Sequence, residues 1–244
     1  MTRPDLSPLL AGIELVIFDK DGTLIEFHAM WGAWALELGR RLEAATRRPV
    51  AGDVFAAIGF DPTSGRIQAG GPLAIATNAE IAERIAAVVR RWCPSVAAAR
   101  RAVETAWFEP DPIATAIATA DLPRLFGAMR AAGLRLAVAT TDDRAPTDAT
   151  LRAFGVRDDV SALACGDDGL GTKPEPGLVL AICTALATPP ARAAVVGDTP
   201  ADLAMGRAAG AGRVIGVLTG IGTRADLEPI ADAVLPSIAD LIVG

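Results

Sequence analysis

Six short apolar segments alternate with helix-like segments along the chain, and this alternation is the feature that most restricts the fold. The predicted strands cover 13–18, 134–140, 160–165, 193–197, 213–218 and 232–236. The predicted helices cover 121–132, 146–154, 176–187, 200–209 and 237–243. Continuous apolar strands separated by helices are typical of a parallel sheet with helices on both faces. We therefore predict an α/β, Rossmann-like core in which the carboxyl ends of the strands meet at one edge, where such sheets bind ligands.

A helical segment interrupts this alternation after the first strand. Residues 27–48 carry an apolar stripe at helical spacing, and two later segments repeat that pattern. The Glu-Pro-Asp-Pro segment at 109–112 is the expected return linker. We therefore predict an inserted α-helical cap domain at 26–112 and a catalytic core formed by 1–25 and 113–244.

The composition indicates a globular chain and disfavours several classes of function. The chain has 244 residues, 51% of them hydrophobic, which is enough for a sizeable core. Its formal charge of −6 disfavours nucleic-acid binding, which needs an excess of lysine and arginine. No apolar stretch of the sequence is long enough to span a membrane, and the N-terminal apolar run does not resemble a signal peptide. Cys93, Cys165 and Cys183 have no metal-site spacing, so we predict reduced thiols in a cytoplasmic protein.

Charged residues follow several of the predicted strands. Asp19 and Asp21 come directly after the first strand, Asp198 follows the strand at 193–197, and Lys173 lies in a Gly- and Pro-rich loop. Two like charges about 4 Å apart repel by about 4 kcal/mol at an effective dielectric constant near 20. Because one lysine cannot offset several carboxylates and a bound phosphate, the sequence predicts a divalent cation here. Carboxylate oxygens favour Mg²⁺.

Four short motifs, in this order, resemble those of the haloacid dehalogenase superfamily of phosphohydrolases. They are Asp19-Lys20-Asp21-Gly22-Thr23, the strand-ending Thr140, Lys173-Pro174, and Gly197-Asp198 with Asp202 shortly after it. Segment 197–223 and the position of the helical insert resemble the phosphoglycolate phosphatase branch of that superfamily. The motifs extend over the whole predicted core, and each lies on the element where the family places it.

The resemblance implies a role for each motif residue. Asp19 is the expected nucleophile that forms an aspartyl-phosphate, and Asp21 is the expected proton donor and acceptor. Asp19, Asp198 and the backbone carbonyl of Asp21 are the implied ligands of Mg²⁺. Thr140 and Lys173 are expected to hold the phosphate oxygens.

Five further residues are candidates for the site. Backbone N–H groups around Gly22, with Thr141 opening the following helix, are expected to complete a phosphate cradle. Asp202 either supports the metal or serves only as the acid of a helix-capping box. His28, at the entry to the cap, and Arg66, in its turn-rich segment, are candidate substrate contacts. A lone histidine is otherwise a surface or packing residue.

Other features are interpreted as structural. Strand alternation predicts that Lys20 points away from Asp19, and helical spacing assigns Trp31 and Trp34 to core packing. The G-x-G-x-x-A match at 220–225 resembles a dinucleotide motif, but no βαβ unit follows it, so it is rejected.

The expected function is Mg²⁺-dependent hydrolysis of a small phosphomonoester, with 2-phosphoglycolate as the best substrate by resemblance alone. Asp21 argues against a dehalogenase, which needs no leaving-group acid, and the lysine-free cap argues against phosphonate cleavage through a Schiff base. A sugar phosphomutase and a non-catalytic phosphate-binding or regulatory protein on the same scaffold stay as alternatives. We expect no nucleic acid or membrane partner, and the sequence fits a monomer or a homodimer.

Overall fold

The contacts within the chain divide it into two units. One comprises Met1–Phe27 and Ala116–Gly244, and the other comprises His28–Thr115. The structure is a computed structural model that describes residues 6–68, 71–76, 78–108 and 116–242. The expected linker at 109–112 lies outside the described residues.

The described helices and strands have the following bounds. The strands are β1 (Leu15–Phe18), β2 (Phe60–Asp61), β3 (Arg66–Ile67), β4 (Arg135–Ala139), β5 (Val160–Ala164), β6 (Ala193–Gly197), β7 (Arg213–Val217) and β8 (Ala233–Leu235). The helices are α1 (Phe27–Thr46), α2 (Ala51–Ile58), α3 (Pro72–Ile75), α4 (Asn78–Val89), α5 (Val96–Ala106), α6 (Leu122–Ala131), α7 (Arg144–Ala153), α8 (Gly177–Ala185), α9 (Pro200–Ala209) and α10 (Arg224–Leu227). Short 3₁₀ turns occur at Pro8–Leu10, Arg90–Trp92, Arg157–Asp159, Gly166–Asp168, Pro190–Arg192 and Ile238–Leu241.

The first unit contains a six-stranded parallel sheet with the strand order β5-β4-β1-β6-β7-β8. In the centre of the sheet, Phe18 of β1 is level with Val138 of β4 and with Val196 of β6. The chain runs from β1 outward to β4 and β5 and then returns to β6, so the strand order reverses at β1. Such a reversal opens a crevice at the carboxyl edge of the sheet. All six strands lie within the predicted segments, and the predicted α/β class is confirmed.

Alternate residues of the central strand face two separate parts of the core. Val16 and Phe18 pack with residues of α6 and α7, and Phe18 stacks on Phe126 with 5.4 Å between the ring centroids. Leu15 and Ile17 pack with residues of α8 and α9 on the opposite face. Because both faces are covered, the strands need apolar residues at every position, which explains the continuous apolar runs.

The prediction of a final helix at 237–243 is wrong. Ile238–Leu241 forms a 3₁₀ turn, and the Ser237 hydroxyl accepts a hydrogen bond from the N–H of Ala239 at its start. Ile238 and Leu241 are both fully buried. Residues three apart lie on one side of a 3₁₀ turn, so this single turn is enough to bury both side chains.

The second unit is helical and has aromatic residues at its centre. The indole of Trp34 meets those of Trp31 and Trp107 edge-on, with centroid distances of 5.5 and 5.3 Å. The Nε1–H group of Trp34 donates to the carbonyl of Phe108 at 2.9 Å. Trp34 is therefore a core residue, as its position on the apolar stripe of α1 predicts.

The turn-rich segment of this unit forms a small antiparallel hairpin between β2 and β3. Asp61 pairs with Arg66 across the hairpin. The carboxylate of Asp61 accepts hydrogen bonds from the N–H of Thr63 at 2.9 Å and the hydroxyl of Ser64 at 2.7 Å. Gly65 has a φ of +70°, a conformation that favours glycine. These turn residues place Arg66 on the second strand of the hairpin.

Candidate active site

The central strands carry the candidate residues directly at their carboxyl ends. Asp19 follows β1, Thr140 follows β4 and Asp198 follows β6. The N–H of Asp19 continues the sheet pattern by donating to the carbonyl of Val196 at 2.9 Å. Parallel register therefore brings residues that are far apart in sequence to one edge of the sheet, at the point where the strand order reverses.

Three buried carboxylates form a cluster at this edge. One oxygen each from Asp19, Asp198 and Asp202 lies within 4.8 Å of the others. The three residues are only 8%, 1% and 2% exposed, respectively. Three acidic oxygens at this spacing suit a hard divalent cation, which prefers oxygen ligands. The donor set of the chain therefore fits a cation of the Mg²⁺ type.

Lys173 lies against the same cluster. Its Nζ atom donates to Oδ1 of Asp19 and, at 2.6 Å, to Oδ1 of Asp202. Burial alone lowers the pKa of this ammonium, but the two carboxylates raise it above its ordinary value, so Lys173 stays charged. One ammonium against three carboxylates leaves a negative surplus that a bound cation would offset.

The buried acids hold protons more tightly than exposed acids do. Burial raises the pKa of Asp19 from 3.8 to about 7, and Lys173 opposes this rise only in part. Burial also raises the pKa of Asp198 well above its ordinary value, and the charges of Asp19 and Asp202 add to the effect. A divalent cation would replace these protons and stabilise the ionised forms.

Of the two roles that its sequence context left open, Asp202 has the capping role, and its support of a metal stays a prediction. Its Oδ2 atom accepts hydrogen bonds from the N–H of Thr199 at 3.0 Å and from the Thr199 hydroxyl at 2.5 Å, which completes the capping box of α9. Its Oδ1 atom accepts the hydrogen bond from Lys173. One oxygen thus caps a helix, and the side chain still belongs to the acidic cluster.

Asp21 has a different set of neighbours. Its Oδ2 atom lies 2.6 Å from Nζ of Lys20, which also contacts Oδ2 of Asp142 at 2.8 Å. Its Oδ1 atom is buried and has no hydrogen-bond partner in the described part of the chain. Burial raises the pKa of Asp21, although Lys20 acts in the opposite direction. The acidic cluster is formed by other side chains, so metal binding by Asp21 would involve its backbone carbonyl, as the motif implies.

The phosphate cradle expected around Gly22 cannot use the N–H group of Gly22 itself, and a role for the neighbouring N–H groups stays a prediction. The N–H of Gly22 donates to the carbonyl of Ile25 at 2.7 Å, so it is already used within the loop. Gly22 instead has a steric role, because a Cβ atom at this position would lie 2.4 Å from Oδ2 of Asp198. Its φ of +87° also favours glycine.

A second glycine loop at this edge was missed by the sequence analysis. The N–H of Ile221 donates to Oδ2 of Asp198 at 2.9 Å, and the N–H of Gly222 donates to the carbonyl of Asp198 at 3.1 Å. A Cβ atom at Gly220 would lie only 1.8 Å from Oδ2 of Asp198. This loop is the G-x-G segment rejected above as a dinucleotide motif. Its glycines do indicate that the backbone of this loop closely approaches another group. That group is the Asp198 carboxylate and not a dinucleotide.

The two threonines after β4 differ in environment. Thr140 is buried, and its hydroxyl oxygen accepts a hydrogen bond from the N–H of Asp142 at 3.1 Å. Thr141 is exposed. The expectation that Thr141 opens the next helix is wrong, because α7 begins at Arg144 with Asp143 as its N-cap. The intervening residues form the turn that carries Asp142.

The two candidates in the helical unit lie at the start of α1 and on β3. Nδ1 of His28 accepts a hydrogen bond from the N–H of Ile67 at 3.1 Å, so His28 anchors the hairpin strand β3. Arg66 is exposed on the same strand. Substrate contact by His28 and Arg66 stays a prediction.

Comparison with known proteins identifies the class of the chain. Residues 13–210 match the model of the haloacid dehalogenase-like hydrolase family. This match covers most of the chain, so the chain belongs to that hydrolase family.

Individual relatives give further similarities. A phosphoglycolate phosphatase from Rhodospirillum rubrum is 36% identical over 112 residues, which are 46% of this chain and 46% of that protein. The chain thus spans about half the length of this curated relative.

Solved structures resemble the chain over nearly its whole length. CbbY from Rhodobacter sphaeroides, in complex with phosphate, is 28% identical with a TM-score of 0.54, covering 94% of this chain and 96% of that one. A subfamily IA hydrolase of the haloacid dehalogenase superfamily from Geobacter sulfurreducens has a TM-score of 0.67 at 19% identity and covers 93% of each chain. The second similarity shows the fold alone.

No helix among the described residues is both long enough and apolar enough to cross a membrane.

Proposed function

We propose that this chain is a Mg²⁺-dependent phosphatase of small phosphomonoesters and that Asp19 is its nucleophile. The observation that carries this proposal is the buried cluster of Asp19, Asp198 and Asp202 with Lys173 bonded to it at the carboxyl edge of the sheet. A purely structural cluster would not require three buried acids with one cation between them, because burying unpaired charge is costly.

The first chemical step would transfer the phosphoryl group to the chain. An oxygen of Asp19 attacks phosphorus, and the bond between phosphorus and the ester oxygen breaks. The departing alkoxide takes a proton from Asp21, which the loop after β1 holds two residues from the nucleophile. Bound Mg²⁺ would supply positive charge to offset the acids and the phosphate.

The second step would restore the enzyme. Asp21, now ionised, takes a proton from a water molecule while the water oxygen attacks phosphorus. The bond between phosphorus and Asp19 then breaks, and inorganic phosphate leaves. Lys173, which donates to Asp19 and Asp202, would stabilise negative charge on phosphate oxygens in both steps. Thr140 follows the neighbouring strand, and we assign its hydroxyl to the same phosphate.

We propose 2-phosphoglycolate as the first substrate to test, because of the similarity to the Rhodospirillum rubrum phosphatase. We also propose that the helical unit, predicted as a cap at 26–112, selects the substrate. Arg66 would recognise the carboxylate of such a substrate. Replacing Arg66 by alanine should then raise KM for 2-phosphoglycolate more than KM for a phosphate ester without a carboxylate.

The variant Asp19→Asn tests the proposed nucleophile. Phosphate release is measured with 2-phosphoglycolate, sugar phosphates, nucleotides and pyrophosphate, with and without Mg²⁺. The variant should keep its circular dichroism spectrum and lose Mg²⁺-dependent phosphate release. The matched control Asp158→Asn removes an exposed carboxylate that precedes β5 at the opposite edge of the sheet, and it should keep wild-type rates.

Three results would contradict the proposal. Near-normal turnover by Asp19→Asn would show that another residue is the nucleophile. Isomerisation of a hexose phosphate without phosphate release would identify a mutase. A wild-type protein that is inactive on the whole panel, but binds phosphate esters, would favour the non-catalytic alternative.

A further inference from the structure

Lys20 makes a contact that its position in the motif does not predict. Only 3% of its side chain is exposed, and its ammonium lies between the carboxylates of Asp21 and Asp142. The described ion pairs of Lys20 do not include Asp19. Its ammonium contacts the proposed proton donor Asp21 and also directly contacts Asp142, in the loop after β4.

Stability alone does not account for this buried lysine. Replacing a buried ion pair by apolar side chains of similar volume is often neutral or stabilising. Lys20 and Lys173 are the only lysines among 23 basic residues, and each lies between two aspartates at the same edge of the sheet. A compact ammonium with several donors can join two separate carboxylates without the fixed fork geometry of arginine.

The far end of the Lys20 contact is itself fixed. The N–H of Asp142 donates to the Thr140 hydroxyl at 3.1 Å, and its carbonyl accepts from the N–H of Gly166 at 2.8 Å. A Cβ atom on Gly166 would lie 2.1 Å from the carbonyl of Thr141, so the two loops pack closely here. Asp142 is therefore a rigid support for the lysine.

The near end of the contact fixes one oxygen of Asp21. Oδ2 is bound by Lys20, whereas Oδ1 is buried and has no hydrogen-bond partner among the described residues. A buried oxygen without a hydrogen-bond partner is costly, so its presence needs an explanation such as a catalytic role. The oxygen that Lys20 leaves unbound is thus the one that can exchange a proton with a reacting group.

We propose that Lys20, supported by Asp142, is a positioning residue that orients Asp21 for proton transfer from its Oδ1 atom. This inference rests on the proposed phosphatase function. When Asp21 protonates the ester oxygen, the proton leaves Oδ1 and the resulting carboxylate lies against the Lys20 ammonium. When water attacks, the same oxygen takes up the proton, so each turnover ends with Asp21 in its starting form.

The test compares two leaving groups. The variant Lys20→Met keeps the apolar stem and removes the ammonium. For the wild type and this variant, kcat/KM is measured with 2-phosphoglycolate and with p-nitrophenyl phosphate. This quantity reports on the steps up to the first irreversible one. The alkoxide of the first needs a proton in order to leave, whereas p-nitrophenolate leaves without one. General acid catalysis contributes about 10²- to 10⁴-fold, so we expect a loss of about 10²-fold or more for 2-phosphoglycolate and a much smaller loss for the aryl ester.

Two variants keep this test interpretable if Lys20→Met is poorly folded. Asp142→Asn changes a half-exposed side chain, removes the negative charge that holds the far side of the Lys20 ammonium, and should show the same leaving-group dependence at smaller size. Arg207→Met removes one basic partner of a surface ion pair with Asp232, and it should leave both rates unchanged.

The outcomes separate the inference from the function on which it rests. Equal losses for the two esters in Lys20→Met and Asp142→Asn would show that Lys20 only maintains the structure, and would overturn the positioning role. If the wild-type protein releases no phosphate from either ester with Mg²⁺, the proposed function is overturned together with the inference. A leaving-group-dependent loss supports both.

Discussion

The buried acids make the metal-free chain sensitive to pH in a direction opposite to that of most salt-bridged proteins. The pKa of Asp19 rises from 3.8 to about 7 on folding, because the folded chain buries the carboxylate. The folded state therefore binds a proton that the unfolded state has released above about pH 4. Stability is greatest below the unfolded-state pKa and falls as pH rises through about 7.

The size of the effect follows from the linkage slope. One pKa unit corresponds to about 1.4 kcal/mol, and the folded-state carboxyl is itself half ionised at about pH 7, so between pH 5 and pH 7 Asp19 should remove about 2 kcal/mol from the free energy of unfolding. For a chain of this length, that change corresponds to about 4–8 °C in Tm. A divalent cation at about one hundred times its Kd would add about 2.7 kcal/mol, and it should add more at pH 7.5 than at pH 5, where protons compete.

Thermal melts followed by circular dichroism test this reasoning, in EDTA and in MgCl₂ from pH 5 to pH 8. The variant Asp19→Asn should show a flatter pH dependence in EDTA and a reduced shift in Tm with MgCl₂. Asp158→Asn should behave as wild type. Titrating groups elsewhere in the chain affect all three proteins alike, so the difference between them isolates the site. Identical pH profiles and Mg²⁺ shifts in wild type and Asp19→Asn would refute the reasoning.

Two further substitutions test the architecture of the site. Gly220→Ala places a Cβ atom 1.8 Å from the Asp198 carboxylate, so it should raise the Mg²⁺ concentration for half-maximal activity, whereas Gly127→Ala in an open helical position should stabilise the chain by up to about 1 kcal/mol. Unchanged metal dependence in Gly220→Ala would contradict the steric role. Asp202→Ala leaves a buried ammonium with one partner fewer and should cost about 3–5 kcal/mol in urea unfolding. Thr199→Ala removes only the cap and should cost about 1 kcal/mol, and equal costs would refute a role beyond capping.

The parts of the fold that the sequence predicts are those set by regular periodicity. Strands such as β1 and β6 are buried on both faces, so their apolar runs stop where the chain reaches the edge of the sheet. The first polar residue after each run, Asp19 or Asp198, therefore marks that edge. Helix α2 has only eight residues and follows α1 closely, so its short apolar pattern gave no separate prediction.

The contacts that escaped prediction join loops from different strands. The distance between Lys20 and Asp142 depends on which strands are neighbours, and β1 and β4 are separated by the whole helical insert in sequence. The bond from His28 to Ile67 likewise depends on a hairpin whose strands have two residues each, too short for an alternation pattern. Glycine spacing in the Gly220 loop indicated close approach, but the sequence did not reveal what approaches.

The distribution of charge favours Asp198 as the carboxylate that a cation would bind. The acidic cluster and the described ion-pair partners of the two lysines together comprise five carboxylates, those of Asp19, Asp21, Asp142, Asp198 and Asp202. Each of the two lysines takes two of these carboxylates, so Asp198 is the one that neither lysine contacts. The described partners of its carboxylate are neutral, namely the N–H of Ile221 and, at 3.4 Å, the hydroxyl of Thr23. Since neutral donors orient a carboxylate without cancelling its charge, the negative surplus falls on Asp198, and a divalent ion bound there would be shared with Asp19.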